Sequence, residues 1–153
     1  MDDAIPAKTV REVRDACLCL AAQRAARRLA RRFDRAFRPA GLTNGQFSAL
    51  MFTAGAEGPT LGRLAELLCM DRTTVTALLK ALRRRGLIEA GPVDEDRRQR
   101  RIAITRAGRI ALAAALPIWR REHAELEASL PPGAPPQGRA LLGALAQAPL
   151  PEC

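Results

Sequence analysis

The segment LAELLCMDRTTVTALLKALRRRGLI, residues 64–88, holds two helical patterns with almost nothing between them. Leu61, Leu64, Ala65 and Leu68 recur at i, i+3, i+4 and i+7, the spacing that lines one face of a short helix. Only Cys69 and Met70 follow before Asp71, whose short carboxylate can accept the free N–H groups at the start of a new helix. Val75, Leu78, Leu79 and Leu82 share one face of that next helix, and Gly86 closes it. Two short helices meeting at a tight turn predict a helix-turn-helix.

The opposite face of the second of these helices carries the chemistry. At about 100° per residue, Thr73, Thr76, Ala77, Lys80 and Arg84 cluster away from the apolar residues, with Arg72 and Thr74 in the first turn. A solvated face usually mixes glutamate with its basic residues. This one is small, hydroxylated and basic, which suits a helix lying in a DNA major groove: short threonines let the backbone approach, and the longer cations reach phosphate.

Working outward, the period changes after Gly86. Leu87 to Gly91 reads as one short strand and Arg101 to Ile104 as another, with Ile102 and Ile104 on one side. Between them, Pro92 to Gln99 is a charged hairpin, and in and just after it Arg97, Arg98, Arg100 and Arg101 stand against Asp94, Glu95 and Asp96. An arginine at the tip of such a ribbon can enter a narrow minor groove, and a nearby aspartate can hold the ribbon's shape. Thr105 is placed to cap a long helix reaching about Leu130, with Pro117 a kink inside it. The run Pro131 to Pro136 reads as a stiff connector to a last helix from about Gly138 to Gln147.

On the other side, no Gly or Pro interrupts Val10 to Arg38, so one long first helix is expected, with Leu29, Phe33 and Phe37 on one face. Arg24, Arg27, Arg28, Arg31, Arg35 and Arg38 form a stripe along it. Pro39, Gly41 and Asn44 supply turn chemistry, and Thr43-x-x-Gln46 makes a capping box ahead of Phe47, Leu50, Met51 and Ala54. Gly55, Gly58 and Pro59 end that helix.

Composition bounds the function. A chain of 153 residues with 48% hydrophobic residues supports one core, and a single domain is expected over 1–153. The formal charge is +9, and of the 25 basic residues only Lys8 and Lys80 are lysine. Arginine grips phosphate and guanine edges bidentately, so a polyanion partner is indicated, either nucleic acid or an anionic membrane surface. Aromatics make up 3%, too few for a platform on which single-stranded bases stack.

No run approaches the roughly 18 uncharged apolar residues of a membrane span, and no signal-peptide pattern opens the chain, so a cytoplasmic protein is expected. Cys17, Cys19, Cys69 and Cys153 lack framework spacing, and His123 is the single histidine, so neither a disulfide scaffold nor a metal or other cofactor is expected. Ser48 and Ser129 have no partner set beyond His123, which argues against an enzyme. Trp119 and His123, one turn apart, share a side of the fifth helix and either pack together or line an effector pocket.

These residues carry a resemblance. Gly41-Leu42-Thr43-x-x-Gln46-Phe47, the pair Leu64-Ala65-Glu66-Leu67-Leu68 and Thr73-Thr74-Val75-Thr76, and Leu82-x-x-x-Gly86-Leu87-Ile88 resemble the MarR family of multiple-antibiotic-resistance regulators. Asp96-Arg97-Arg98 followed by Ile104-Thr105-x-x-Gly108 resembles that family's wing signature. The likeness runs over nearly the whole chain. It implies a mainly α winged helix-turn-helix with a two-stranded β wing at 42–105, flanked by dimerisation helices at 1–40 and 106–153. In that pattern the fourth helix reads the major groove, the wing reaches the minor groove, Arg98 matches the wing-tip arginine and Asp96 its partner. A two-fold dimer implies a pseudo-palindromic operator with half-sites about one helical turn apart. Family members usually repress, and release DNA when a small phenolic or other ligand, or an oxidant, changes the spacing of the reading heads.

Cys19 lies where the family's organic-hydroperoxide-sensing branch has its reactive cysteine, but the chain has no tyrosine to hold such a thiol. On a continuous helix Cys17 and Cys19 would point about 200° apart and could not bridge. Cys69 stands in the helix-turn-helix turn where the family commonly has glycine, and a packing role is expected for it. The rival functions are a non-specific architectural DNA-coating protein, a thiol-based peroxide sensor of the same family, and a membrane-surface protein held by the arginine stripe.

The wing reading makes a quantitative prediction. Arg98→Ala should weaken DNA binding across sequences and lower the slope of log affinity against log salt by about one unit. Titration of duplex DNA at several salt concentrations measures this, and an unchanged affinity removes the wing from recognition.

Overall fold

The structure, a computed structural model, describes residues 5–55, 58–94 and 99–148. Its elements run α1 (Ala7–Ala16), α2 (Leu18–Ala36), a 3-10 turn (Arg38–Ala40), α3 (Asn44–Thr53), α4 (Leu61–Leu68), α5 (Arg72–Arg84), β1 (Ile88–Asp94), β2 (Gln99–Ile104), α6 (Arg106–Ala128) and α7 (Ala134–Gln147).

The expected single helix from Val10 to Arg38 is two helices. Cys17 takes an extended conformation, φ −74° and ψ 104°, and its sulfur accepts the Leu20 N–H at 3.4 Å. The thiol thus caps α2, a role that neither a Gly nor a Pro announces. The helix expected fourth from the sequence is accordingly α5.

Phe33 and Phe37 turn into the core, where Phe37 stacks on Phe47 of α3 at 4.6 Å between ring centres. Thr43 caps α3 by the reciprocal box the sequence predicts: Thr43 Oγ1 accepts from Gln46 N and Gln46 Oε1 accepts from Thr43 N, each at 3.2 Å. Asp34 of α2 accepts the Asn44 N–H at 2.7 Å, setting a carboxylate against the positive end of α3. Leu50, Leu64, Val75, Leu82 and Ile88 complete the most deeply buried layer, so α3, α4, α5 and the sheet share one core. Met51, by contrast, is half exposed at 43%.

β1 and β2 pair antiparallel, with Ile88 opposite Ile104 and Ala90 opposite Ile102. Both strands run further toward the hairpin tip than their apolar alternation marks. The register slips between Ala90 and Val93, where Gly91 and Pro92 form a bulge, a place in a strand where proline is tolerated. A third backbone segment docks on the sheet's far edge: Ile102 N donates to Pro59 O at 2.9 Å, and Thr60 bridges to Arg101. Gly58 makes that approach possible, because a Cβ there would lie 2.1 Å from the Ile102 carbonyl oxygen, and its φ is +64°.

The last two helices start at caps of different kinds. Thr105 Oγ1 accepts the Gly108 N–H at 3.1 Å to open α6, which continues past Pro117 to Ala128. The last helix begins at Ala134 rather than near Gly138. Pro135 and Pro136 sit in its first turn, where a helix has no use for the N–H groups that proline lacks, so the run expected to be a connector is partly helix. Neither α1 nor α7 buries a residue, and Val10, Val13, Leu141 and Leu142 are each at least half exposed.

Gly108 makes an approach as close as that of Gly58. A Cβ there would meet the Leu87 carbonyl oxygen at 2.1 Å and a side-chain carbon of Ile104 at 2.7 Å. Gly108→Ala should cost roughly 1–3 kcal/mol as an overpacking substitution. Urea unfolding should show a lowered midpoint at unchanged slope; a midpoint equal to the parent's would mean α6 is not held this close to the wing.

Candidate nucleic-acid interface

The exposed side of α5 is the one its sequence indicates. Val75, Leu79 and Leu82 are buried, while Arg72, Thr73, Thr74, Thr76, Ala77, Lys80 and Arg84 are exposed. No acidic residue lies between Arg72 and Arg84.

The threonines are not equivalent. Asp71 Oδ1 accepts the Thr74 N–H at 2.8 Å, and Thr74 Oγ1 donates to Asp71 Oδ2 at 2.6 Å. Thr76 Oγ1 donates to the Arg72 carbonyl at 2.7 Å, the back-bond a helical threonine commonly makes. Both hydroxyl protons therefore point into the protein, leaving lone pairs to accept from a base or a water. Thr73 makes no such bond among the described residues, so it offers a donor and an acceptor together.

Arg72 leans toward α4. Its guanidinium lies 3.0 Å from where a side chain on Gly62 would begin, so Gly62 provides the space in which it rests, near the start of α4. Sequence reading placed Arg72 on α5 but gave no hint of this contact. At the other end, Arg85 donates to Gln46 Oε1 at 3.2 Å, the same oxygen that closes the α3 capping box. That link, spanning 39 residues of sequence, was also not predicted.

Of the wing residues, Arg100 is exposed on β2, opposite Val93. Asp96, Arg97 and Arg98 lie outside the described residues. Arg101 is anchored, donating to the Gly58 carbonyl at 3.1 Å.

The cysteines and the aromatic pair fall elsewhere. Cys19 is exposed, and Gln23 Nε2 donates to its sulfur at 3.2 Å, a donor one turn away that the spacing alone could have identified. Because Cys17 ends one helix and caps the next, the angle argued from a continuous helix does not apply to this pair. Cys69 is exposed, so the expected packing role is not what it fills; it takes a left-handed conformation, φ 49° and ψ 45°, the geometry for which glycine is the usual choice. The Trp119 and His123 rings pack in a tilted pair, 4.8 Å between centres, with Glu127 3.6 Å from His123 Nδ1.

A basic, hydroxylated helix set against a two-stranded ribbon defines a winged-helix DNA-binding protein. A family model described as the MarR family matches residues 40–99. Among solved structures, the chain is 41% identical to the Mycobacterium tuberculosis transcriptional regulator MosR in complex with DNA, over 86% of this chain and 94% of that one, with a TM-score of 0.75. A probable transcriptional regulator from Pseudomonas aeruginosa is 27% identical over 86% and 98% of the two chains, TM-score 0.73. CouR from Rhodococcus jostii RHA1, bound to p-coumaroyl-CoA, is 24% identical over 89% and 96%, TM-score 0.75, and shares the fold. A comparison with curated proteins finds no match. The chain belongs to the MarR family and is a DNA-binding transcriptional regulator. Among the described residues no helix is long and apolar enough to cross a membrane.

The cap of α5 is pH-sensitive in a predictable sense. The hydroxyl of Thr74, followed by its backbone N–H, holds the Asp71 carboxyl below its usual range. A carboxyl depressed in the folded state contributes stability above its unfolded value and loses it as pH falls through the folded value. An NMR titration of the Asp71 carboxyl carbon should give a midpoint below that of an unperturbed aspartate, and Thr74→Val should move it upward. An equal midpoint in both proteins would mean the hydroxyl does not hold the carboxylate.

Proposed function

We propose that the chain acts as a homodimer, repressing transcription from a pseudo-palindromic operator until a small-molecule or oxidant effector releases it. In this reading α5 enters the major groove, with Thr73, Thr76, Lys80 and Arg84 toward the bases and phosphates. Arg72 and Thr74 contact the backbone from the first turn. Arg97, Arg98 and Arg100 bring the wing to the minor groove, with Asp96 holding its shape. The N-terminal helices to about residue 40 and α6 with α7 make the dimer, and 42–105 makes the reading head.

The observation that carries it is the face of α5, which is exposed, free of acidic residues after its cap and fixed to a buried core by Val75, Leu79 and Leu82. The exposed apolar side chains of α1 and α7 support dimerisation, since helices that bury nothing within their own chain need another surface. The likeness to a regulator solved in complex with DNA supports the target, and the relative bound to an acyl-CoA supports release by a small molecule. We read the protein as a cytoplasmic regulator without catalysis of its own.

Selection of bound sequences from random duplex DNA at near-physiological salt tests this. An enriched inverted repeat is the expected result. Thr73→Ala should then shift discrimination at one or two base pairs by roughly 1–3 kcal/mol, the usual worth of a base contact. Recovery of DNA without a shared motif would instead make it a coating protein, bound by charge alone.

A further inference from the structure

The hydroxyl of Thr76 has only one kind of bond left to offer. Thr76 is exposed on α5, in line with Thr73 one turn before it and Lys80 one turn after it. Its Oγ1 lies 2.7 Å from the Arg72 carbonyl oxygen, a separation at which two oxygens are held by the proton between them. Swinging that proton outward would leave the lone pairs of both oxygens facing each other across the same 2.7 Å. The hydroxyl therefore stays a donor to its own helix and turns only acceptor lone pairs outward.

A hydroxyl fixed in this way discriminates by polarity. Phosphate oxygens carry no hydrogen and give it nothing to accept. In the major groove, guanine N7 and O6, adenine N7 and thymine O4 are acceptors as well, and each would meet it lone pair to lone pair. The groups that fit are the exocyclic amines, N6 of adenine and N4 of cytosine. A close approach is open to them, because Ala77 beside Thr76 is exposed and small. Thr73, whose hydroxyl makes no internal bond among the described residues, can rotate to serve a donor or an acceptor, and the ammonium of Lys80 offers donors alone. Thr74 has its proton on Asp71 and so reaches a phosphate only through a water that donates to both.

We propose that Thr76 is a specificity-determining residue that accepts from the exocyclic amino group of an adenine or a cytosine and rejects guanine and thymine at that base. This rests on α5 lying in the major groove, as in the function proposed above, and adds which chemical group is read there.

An operator selected with the full chain supplies the duplexes that test this. Each base pair of the half-site is changed in turn, and the parent is compared with Thr73→Ala and with Thr76→Val, in which valine keeps the shape of threonine and removes the oxygen. Thr76→Val is expected to flatten the preference at one base pair. At that pair, replacing adenine by purine, or cytosine by pyrimidin-2-one, takes away the amino group alone. With both half-sites so changed the parent should lose about tenfold in affinity, the worth of two neutral hydrogen bonds, and Thr76→Val should lose nothing. Replacing the purine of the pair by its 7-deaza form removes an acceptor instead, and should affect the two proteins equally. Three results would overturn the proposal: a parent indifferent to the missing amino group; a 7-deaza loss that vanishes in Thr76→Val, which would make the hydroxyl a donor; or a Thr76→Val protein that discriminates as the parent does. In the last case an altered preference in Thr73→Ala keeps α5 as the reader and removes Thr76 alone, whereas an unaltered one removes α5 as the reader and the proposal with it. Selection that enriches no operator removes both. Should Thr76→Val lose its helical signal in far-UV circular dichroism, Thr76→Ala is measured in its place by the same criteria.

Discussion

One hydroxyl joins the end of α5 to the start of α6. Thr105 Oγ1 donates to the Gly86 carbonyl at 2.6 Å and accepts from Gly108 N at 3.1 Å, while Thr105 N donates to the Leu87 carbonyl at 3.1 Å. Gly86 follows the C-terminus of α5, Leu87 leads into β1, Ile104 ends β2 and Gly108 is in the first turn of α6. Helix α5, both strands of the sheet and the long helix α6 therefore meet within a few ångströms. The close approach of Gly108 to Leu87 belongs to the same junction, since a side chain there would push α6 off it. The orientation of α5 relative to α6 is set here by short hydrogen bonds, which tolerate little misalignment.

The elements around this junction are braced by hydrogen bonds in the same manner. Pro59 and Thr60 tie β2 to the start of α4, and the Thr60 hydroxyl caps that helix. Arg85 ties the end of α5 to the cap of α3. With the apolar side of α5 buried, these bonds leave it no freedom to roll, and the exposed face presents a fixed pattern of acceptors and cations. Such rigidity is what base discrimination needs, because a contact displaced by an ångström no longer separates a right base from a wrong one. Two of the three threonines spend their protons internally, so their side chains are held in place by the protein itself, which would lower the ordering cost of the DNA contacts proposed for them.

How far the sequence could be read follows from the range of each interaction. The Thr43 capping box, the exposed face of α5, the alternation of Ile102 and Ile104 and the Thr105 cap all depend on neighbours within four residues, and all were legible. What was not legible depends on distance or on unusual chemistry. Cys17 breaks a helix with its sulfur, and a thiol is not a residue from which a cap is expected. Pro135 and Pro136 were read as connectors because proline ends helices more often than it starts them, although the first turn accepts it. Cys69 adopts a glycine-like conformation that a cysteine's identity argues against. Arg72 over Gly62 and Arg85 on Gln46 are tertiary contacts, invisible to any local period.

The geometry also gives α6 a mechanical role. From Thr105 to Glu122 is about 25 Å of helix at 1.5 Å per residue, and Glu122 is where Arg32 of α2 is paired. One helix thus joins the junction beneath α5 to the Arg32–Glu122 pair between α2 and α6. A change in the spacing of α2 and α6 has two ways to be absorbed: α6 can bend near Pro117, where the helix lacks one backbone hydrogen bond, or it can carry the displacement to Thr105. The second route moves α5, because the Thr105 hydroxyl admits no slack. A ligand shifts that equilibrium only by its difference in affinity for the two spacings.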